Sequence, residues 1–185
     1  MGNKAVIIVD MLNDFVTGEL RCERIKHIIP NLRRLVAAAH KSNVPVIYSN
    51  DAHYPQDAEV VQRWGEHAIK GTKGAEVIPE LRPSAKDYIV EKRSYSGFYK
   101  TGMDRLLRGL FKGEGEKTVI LAGVHTHICI RHIAADAFFR GYRIIIAKDG
   151  VEAFSQEDHE HGLRYLQEIY NARLLTTDEI IAGLG

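Results

Sequence analysis

The chain has 185 residues, with 25 Lys+Arg against 24 Asp+Glu, nine His, two Cys and a formal net charge of +1. That length suits a single domain over residues 1–185 whose core needs no disulfide or metal staple, and the near-neutral balance removes the electrostatic footprint of a nucleic-acid binder. Hydrophobic residues at 45% and charged residues at 26% are globular values, not those of a disordered chain.

In chain order, Met1-Gly2-Asn3-Lys4 leads without a leader pattern into Ala5-Val6-Ile7-Ile8-Val9. That run is far too short to span a membrane and is apolar on both faces, as a central parallel strand is. Cys22 follows a Gly18-containing turn and reads as a bland thiol. Ile25 to Lys41 is apolar at helical spacing, through Ile28, Leu32, Leu35 and Ala39. Val44 to Tyr48 is a second strand, with Pro45 tolerated near its start, and Tyr88 to Val90 a third. A helix over Gly102–Phe111, a strand over Thr118–Ala122, a helix over His127–Phe139 and a strand over Tyr142–Ala147 follow. Ser155-Gln156-Glu157-Asp158 opens a helix with a capping-box-like start, Ala172–Leu175 is a sixth strand, and Thr176–Glu179 opens the last helix the same way. This alternation predicts an α/β fold of three layers, a doubly wound and mainly parallel sheet of about six strands. The one long irregular stretch, Asn50 to Pro83, is the kind of loop that usually carries function.

In such a sheet, ligands bind beyond the carboxyl ends of the strands. The strand ends here are Asp10, Asn50-Asp51, Lys92 and the segment Gly123 to Cys129. Each residue alone reads as a cap or a surface charge; two acids, a lysine and a cysteine on one edge point to a site. Cys129 falls in the first turn of a helix, where unpaired N–H groups favour an anion. Beside a lysine, its pKa is expected to be low enough for a nucleophilic thiolate. With two cysteines and no CxxC spacing, reduced thiols in a cytoplasmic protein are expected.

Val9-Asp10-Met11-Leu12-Asn13-Asp14-Phe15 resembles the opening motif of the isochorismatase-like cysteine hydrolases. Lys92 to Phe98 is similar to their central lysine motif, Gly123 to Cys129 to their nucleophile motif, and Ala134-Ala135-Asp136-Ala137 to the helix that follows. The resemblance runs from the first strand to the last helix and implies an Asp10–Lys92–Cys129 triad. It also implies an oxyanion hole from the backbone N–H groups of His125 and Cys129, with a cis peptide between Val124 and His125.

Asp51 and His53 are two apart, so an extended segment presents them on one side. With His67 they form a possible ligand set for a divalent transition metal, completed by water. Their placement, with Trp64-x-x-His67, resembles nicotinamidases, in which the metal holds the pyridine nitrogen. The resemblance therefore implies a small-molecule amide substrate, a divalent ion (zinc foremost; manganese, iron or magnesium as alternatives) and a homo-oligomer, a dimer or larger. It places Phe15 and Trp64 about the ring and Tyr95 and Val124 in the pocket, with Glu59 a further candidate ligand. His125 and His127 stand where many nicotinamidases carry a small residue and an acid. His132 reads as packed or capped, not catalytic; His27, His40, His159 and His161 read as solvated. Other readings are a ureidoacrylate or N-carbamoyl hydrolase, an isochorismatase, a receiver-like phosphoacceptor domain and a non-catalytic binding scaffold. The receiver has no use for Cys129, and its acid pair and Lys-Pro are missing.

Overall fold

The computed structural model describes residues 2–184; Met1 and Gly185, the two ends of the expected domain, lie outside the described residues. Six strands form one sheet: β1 (Lys4–Val9), β2 (Val46–Asp51), β3 (Tyr88–Lys92), β4 (Thr118–Val124), β5 (Arg143–Glu152) and β6 (Arg173–Leu175). Every pairing is parallel, in the order β3-β2-β1-β4-β5-β6. The helices are α1 (Asn13–Val16), α2 (Ile29–Lys41), α3 (Met103–Leu110), α4 (Arg131–Phe139), α5 (Gln156–Tyr170) and α6 (Thr177–Ala182). Among the described residues, no helix is long and apolar enough to cross a membrane.

Alternation along the central strands builds two cores. Val6 and Ile8 of β1 pack with Leu32 and Leu35 of α2 and Ile180 of α6. Ala5, Ile7 and Val9 face the other way, onto Leu107 of α3, Ile133 and Ala137 of α4 and Leu166 of α5. A strand so sandwiched must be apolar on both faces, which is why β1 reads as a continuous run.

Three boundaries depart from expectation for identifiable reasons. The α-helix starts at Ile29 instead of Ile25, after a 3₁₀ turn over Glu23–His27. Pro30 has no N–H to donate and its ring would crowd the carbonyl one turn back, so it belongs in a first turn. β2 begins at Val46 and runs on through Ser49, Asn50 and Asp51, because Val44 is tied to the end of α2 through Ala39 O (2.9 Å). Those polar residues continue the strand because they pair with β3 as Asn50 to Glu91 and Asp51 to Lys92. β5 continues past the apparent Asp149-Gly150 turn: Leu121 pairs with Ile146 and Gly123 with Val151, so β5 carries a bulge and resumes. The two capped helix starts appear as expected, with Ser155 accepting from Asp158 N–H and a complete capping box at Thr176 and Glu179.

Gly123 sets the distance between β1 and β4. Its φ is +111°, and a Cβ there would lie 2.1 Å from Val9 O. Gly123→Ala should therefore cost at least about 2 kcal/mol, from a positive φ and an overpacked backbone contact. Gly109, exposed in α3 with nothing near its Cβ position, should gain about 0.5–1 kcal/mol on replacement by alanine. Urea unfolding of the two variants checks both signs.

Candidate active site

β1 and β4 are neighbours whose following connections leave toward opposite faces, so the sheet opens a crevice beyond their carboxyl ends. Asp10 follows β1 in a left-handed conformation (φ 53°), which turns the chain sharply off the strand. Its Oδ1 accepts the Asp51 N–H at 2.8 Å, and its Oδ2 lies 2.8 Å from Lys92 Nζ. Lys92, the last residue of β3, is 1% exposed. Its ammonium also donates to Asp51 Oδ1 and, at 3.6 Å, to Cys129 Sγ. The ligating atoms of Asp10, Asp51 and Cys129 lie within 4.8 Å of one another. The three triad positions thus meet, with Asp51 as a fourth member.

Cys129 sits in a π-helical turn over Thr126–Ile130 that leads into α4, not in the first turn of an α-helix. The Ile130 N–H closes this turn on His125 O at 3.2 Å, and the Val124–His125 peptide is cis. The wider turn and near-complete burial reverse one expectation. Burial pushes the Cys129 thiol well above its ordinary value despite the pull of Lys92, so the resting group is the thiol. Burial and then the charge of Asp51 raise the Asp10 carboxyl to about 6, against the opposing effect of Lys92. Burial also works against Asp51, but Lys92 and His53 outweigh it and hold this carboxyl at about 2. Lys92 itself is held well above its ordinary value, because Asp10 and Asp51 overcome the burial that would lower it. The site therefore has one firm carboxylate, one carboxyl whose pKa lies close to neutrality and a protonated thiol.

One step outward, Asp51, His53 and His67 offer ligating atoms within 4.8 Å of one another, all buried. The parallel bridge between His53 and Ile69 brings the two imidazoles together across the loop, with ring centroids 4.7 Å apart. His67 Nδ1 donates to Gly65 O at 2.8 Å, and His53 Nδ1 faces Asp57 Oδ2 at 3.4 Å. His53 Nε2 is buried without a hydrogen-bond partner. An outer acceptor on one imidazole nitrogen, with the other left free beside a carboxylate, is the arrangement in which histidine ligates metals. These residues fit a divalent cation. Asp57, which the sequence did not single out, is itself gripped by Arg93, whose hydrogen bonds hold its carboxyl far below the usual range. Glu59 Oε2 lies 3.8 Å from His53 Nε2, and burial, with Asp51 next, raises its carboxyl to about 7.

Asp10, Asp51, Glu59, His67 and Cys129 all reach one narrow cavity, about 310 Å³ of space with the solvent at its open mouth included. Phe15, Trp64 and Tyr95 line it as expected. Val124 does not: it is fully buried, its side chain projecting from β4 into the core that also holds Leu32 and Leu35 of α2. Leu20, Ile128 and Phe154 are wall residues the sequence did not single out; Phe154 is made available by the continuation of β5. It stacks on Trp64 at 5.8 Å and on His125 at 3.9 Å. His125 and His127 part company, since only His125 lines the cavity, while His127 lies 4.0 Å from Asp158. His132 is exposed, with Nδ1 on Ile128 O. His159 is half-buried, not solvated, and bonds Thr126 Oγ1 at 3.0 Å beside the Cys129 turn. Cys22 is buried, with Sγ donating to Ala153 O.

The profile described as Isochorismatase domain matches residues 4–179. Nicotinamidase 3 of Arabidopsis thaliana is 30% identical over 167 residues, covering 88% of this chain and 79% of that protein. N-carbamoylsarcosine amidase from Thermoplasma acidophilum superposes with a TM-score of 0.86 at 41% identity, over 95% of this chain and 96% of that one. Pyrazinamidase of Pyrococcus horikoshii, solved in complex with zinc, gives 0.85 at 26% identity, over 95% and 99%.

If the imidazole pair is a ligand set, His53→Ala and His67→Ala should each abolish stoichiometric binding of a divalent ion, read by elemental analysis after dialysis. Asp57→Asn should weaken that binding by about 10–100-fold, the usual cost of losing an outer-sphere partner. Unchanged metal content in both alanine variants would remove the cluster from consideration.

Proposed function

The chain belongs to the isochorismatase family, whose relatives include hydrolases of amide bonds, and on that premise we propose that it is a nicotinamidase, hydrolysing nicotinamide to nicotinic acid and ammonia through a Cys129 thioester. The observation that carries the proposal is the shared position of Asp51. It pairs with Lys92, which touches both Asp10 and Cys129, and it also belongs to the Asp51–His53–His67 cluster. One cavity therefore opens onto a thiol with its base and onto a ligand set for a cation.

The steps follow from the protonation states. The Cys129 thiol passes its proton to Asp10, and Lys92 stabilises the thiolate as it forms. Sulfur attacks the carboxamide carbon, and the oxyanion of the tetrahedral intermediate is received by the backbone N–H groups of His125 and Cys129. Asp10 returns its proton to the departing nitrogen, ammonia leaves and the thioester remains. Asp10, again a carboxylate, takes a proton from water; the hydroxide adds to the thioester carbonyl, and the acid departs as the thiol is regenerated. Asp51, His53 and His67 would hold a divalent ion, zinc foremost, which would supply Lewis-acid chemistry for orienting the substrate. Phe15 and Trp64 offer aromatic faces to the ring.

The similarity to N-carbamoylsarcosine amidase favours a second substrate class, an N-carbamoyl amino acid. Such a compound carries a carboxylate. Among the described residues, no arginine or lysine lines this cavity to pair with it, whereas the rings of Phe15, Trp64, Tyr95 and Phe154 do line it. That lining suits an uncharged aromatic amide better than an anion.

Ammonia release from nicotinamide, pyrazinamide, an N-carbamoyl amino acid and ureidoacrylate, with and without a chelator, tests the assignment. Nicotinamide turnover that the chelator suppresses is expected; turnover of the N-carbamoyl compound alone would replace the proposed substrate. Cys129→Ala should lower nicotinamide turnover by about 10³-fold or more. Phe15→Ala should raise KM by about 2–12-fold, equivalent to about 0.5–1.5 kcal/mol of lost stacking.

A further inference from the structure

His125 is 4% exposed and lines the cavity, yet both of its ring nitrogens are buried without a partner. A core position that needs only volume is served by an apolar side chain, and a buried polar atom left unmet costs about 1–3 kcal/mol. The ring is held in place by its neighbours. It stacks on Phe154 at 3.9 Å and 22°, and meets Phe15 edge-to-face at 5.8 Å and 88°. Burial, with a smaller push from His127, lowers its pKa to about 3, so it works as a neutral imidazole with one donor and one acceptor nitrogen. Phe15 also packs on His67, at 5.9 Å. The two imidazoles therefore stand around one aromatic plate, and a six-membered ring lying on Phe15 would come within reach of both.

We propose that His125 is a specificity-determining residue whose imidazole hydrogen-bonds a second polar group on the acyl part of the substrate. The inference rests on the ring-carboxamide assignment above and deepens it. The preferred substrates are ring carboxamides carrying a polar group beyond the nitrogen the cation site would hold: a further ring nitrogen, a hydroxyl or an amino group. Neutrality lets the imidazole meet either a donor or an acceptor. A site built to bond such a group discriminates against the analogue lacking it, because its own polar atoms are then left unpaired.

The test compares kcat/KM for nicotinamide, pyrazinamide and hydroxy- and amino-substituted nicotinamides in the wild type, His125→Phe and His125→Asn. The readout is the ratio of the best substituted amide to nicotinamide within each protein. A general loss of activity, or a disturbed backbone N–H at residue 125, cancels in that ratio. We expect a wild-type ratio of at least about ten, collapse toward one in His125→Phe, and partial retention in His125→Asn, which keeps a donor and an acceptor. In the Cys129→Ala protein, titration with the preferred amide should also move the His125 ring-nitrogen resonances, a measurement that needs no His125 variant to fold. A ratio near one in the wild type, an unchanged ratio in His125→Phe, or unmoved resonances would overturn the role of His125 while leaving the nicotinamide assignment standing. A wild-type protein that hydrolyses none of these ring carboxamides overturns both.

Discussion

An ammonium group taken out of water has to be neutralised where it lies, and at Lys92 the neutralisation is divided between Asp10, at 2.8 Å, and Asp51. Two carboxylates so close would repel each other without it, and a buried pair deprived of one partner costs about 3–5 kcal/mol. The division is unequal. Asp51 stays ionised, whereas burial and the charge of Asp51 bring Asp10 to about 6. That inequality is what the proton-carrying role proposed for Asp10 requires near neutral pH. One lysine thus holds the cluster together while its two acids keep unequal proton affinities.

The sheet order places that lysine within reach. In β3-β2-β1-β4, the strands ending in Lys92, Asp51, Asp10 and the Cys129 turn are consecutive neighbours, so four side chains from distant parts of the sequence are delivered by adjacent strand ends. Gly123 lets β4 approach β1 closely enough for the Cys129 turn to start beside Asp10. The aromatic wall is attached to the other flank, where β5 ends and Phe154 precedes the cap of α5.

Most of this was legible because the strands announce themselves. Ala5–Val9 and Thr118–Ala122 are apolar on both faces, so the polar residues that follow them stand out as strand ends. Lys92 is legible for the same reason, and Asp51 and His53 by their spacing. What escaped is equally instructive. Asp149-Gly150 has the composition of a turn, so β5 seems to stop there; its bulge depends on register with β4, which no local pattern encodes, and Phe154 is hidden with it. Asp57 lies in the irregular loop, where its pairing with Arg93 and its proximity to His53 depend on the tertiary path. The lowered thiol pKa expected for Cys129 failed because a helix-start argument weighs the dipole and ignores desolvation, which dominates once the turn is buried.

Lys92 and Arg93 are consecutive, yet they live in different electrostatic media. Lys92 is sealed from solvent, while the Arg93 side chain that grips Asp57, and through it braces His53, is 53% exposed. Mobile ions screen the second contact and scarcely reach the first. Rising ionic strength should therefore act unevenly on this edge of the sheet, slackening the imidazole side while the field around the sulfur stays as it was. Two adjacent residues at one strand end give the site an insulated half and a salt-responsive half.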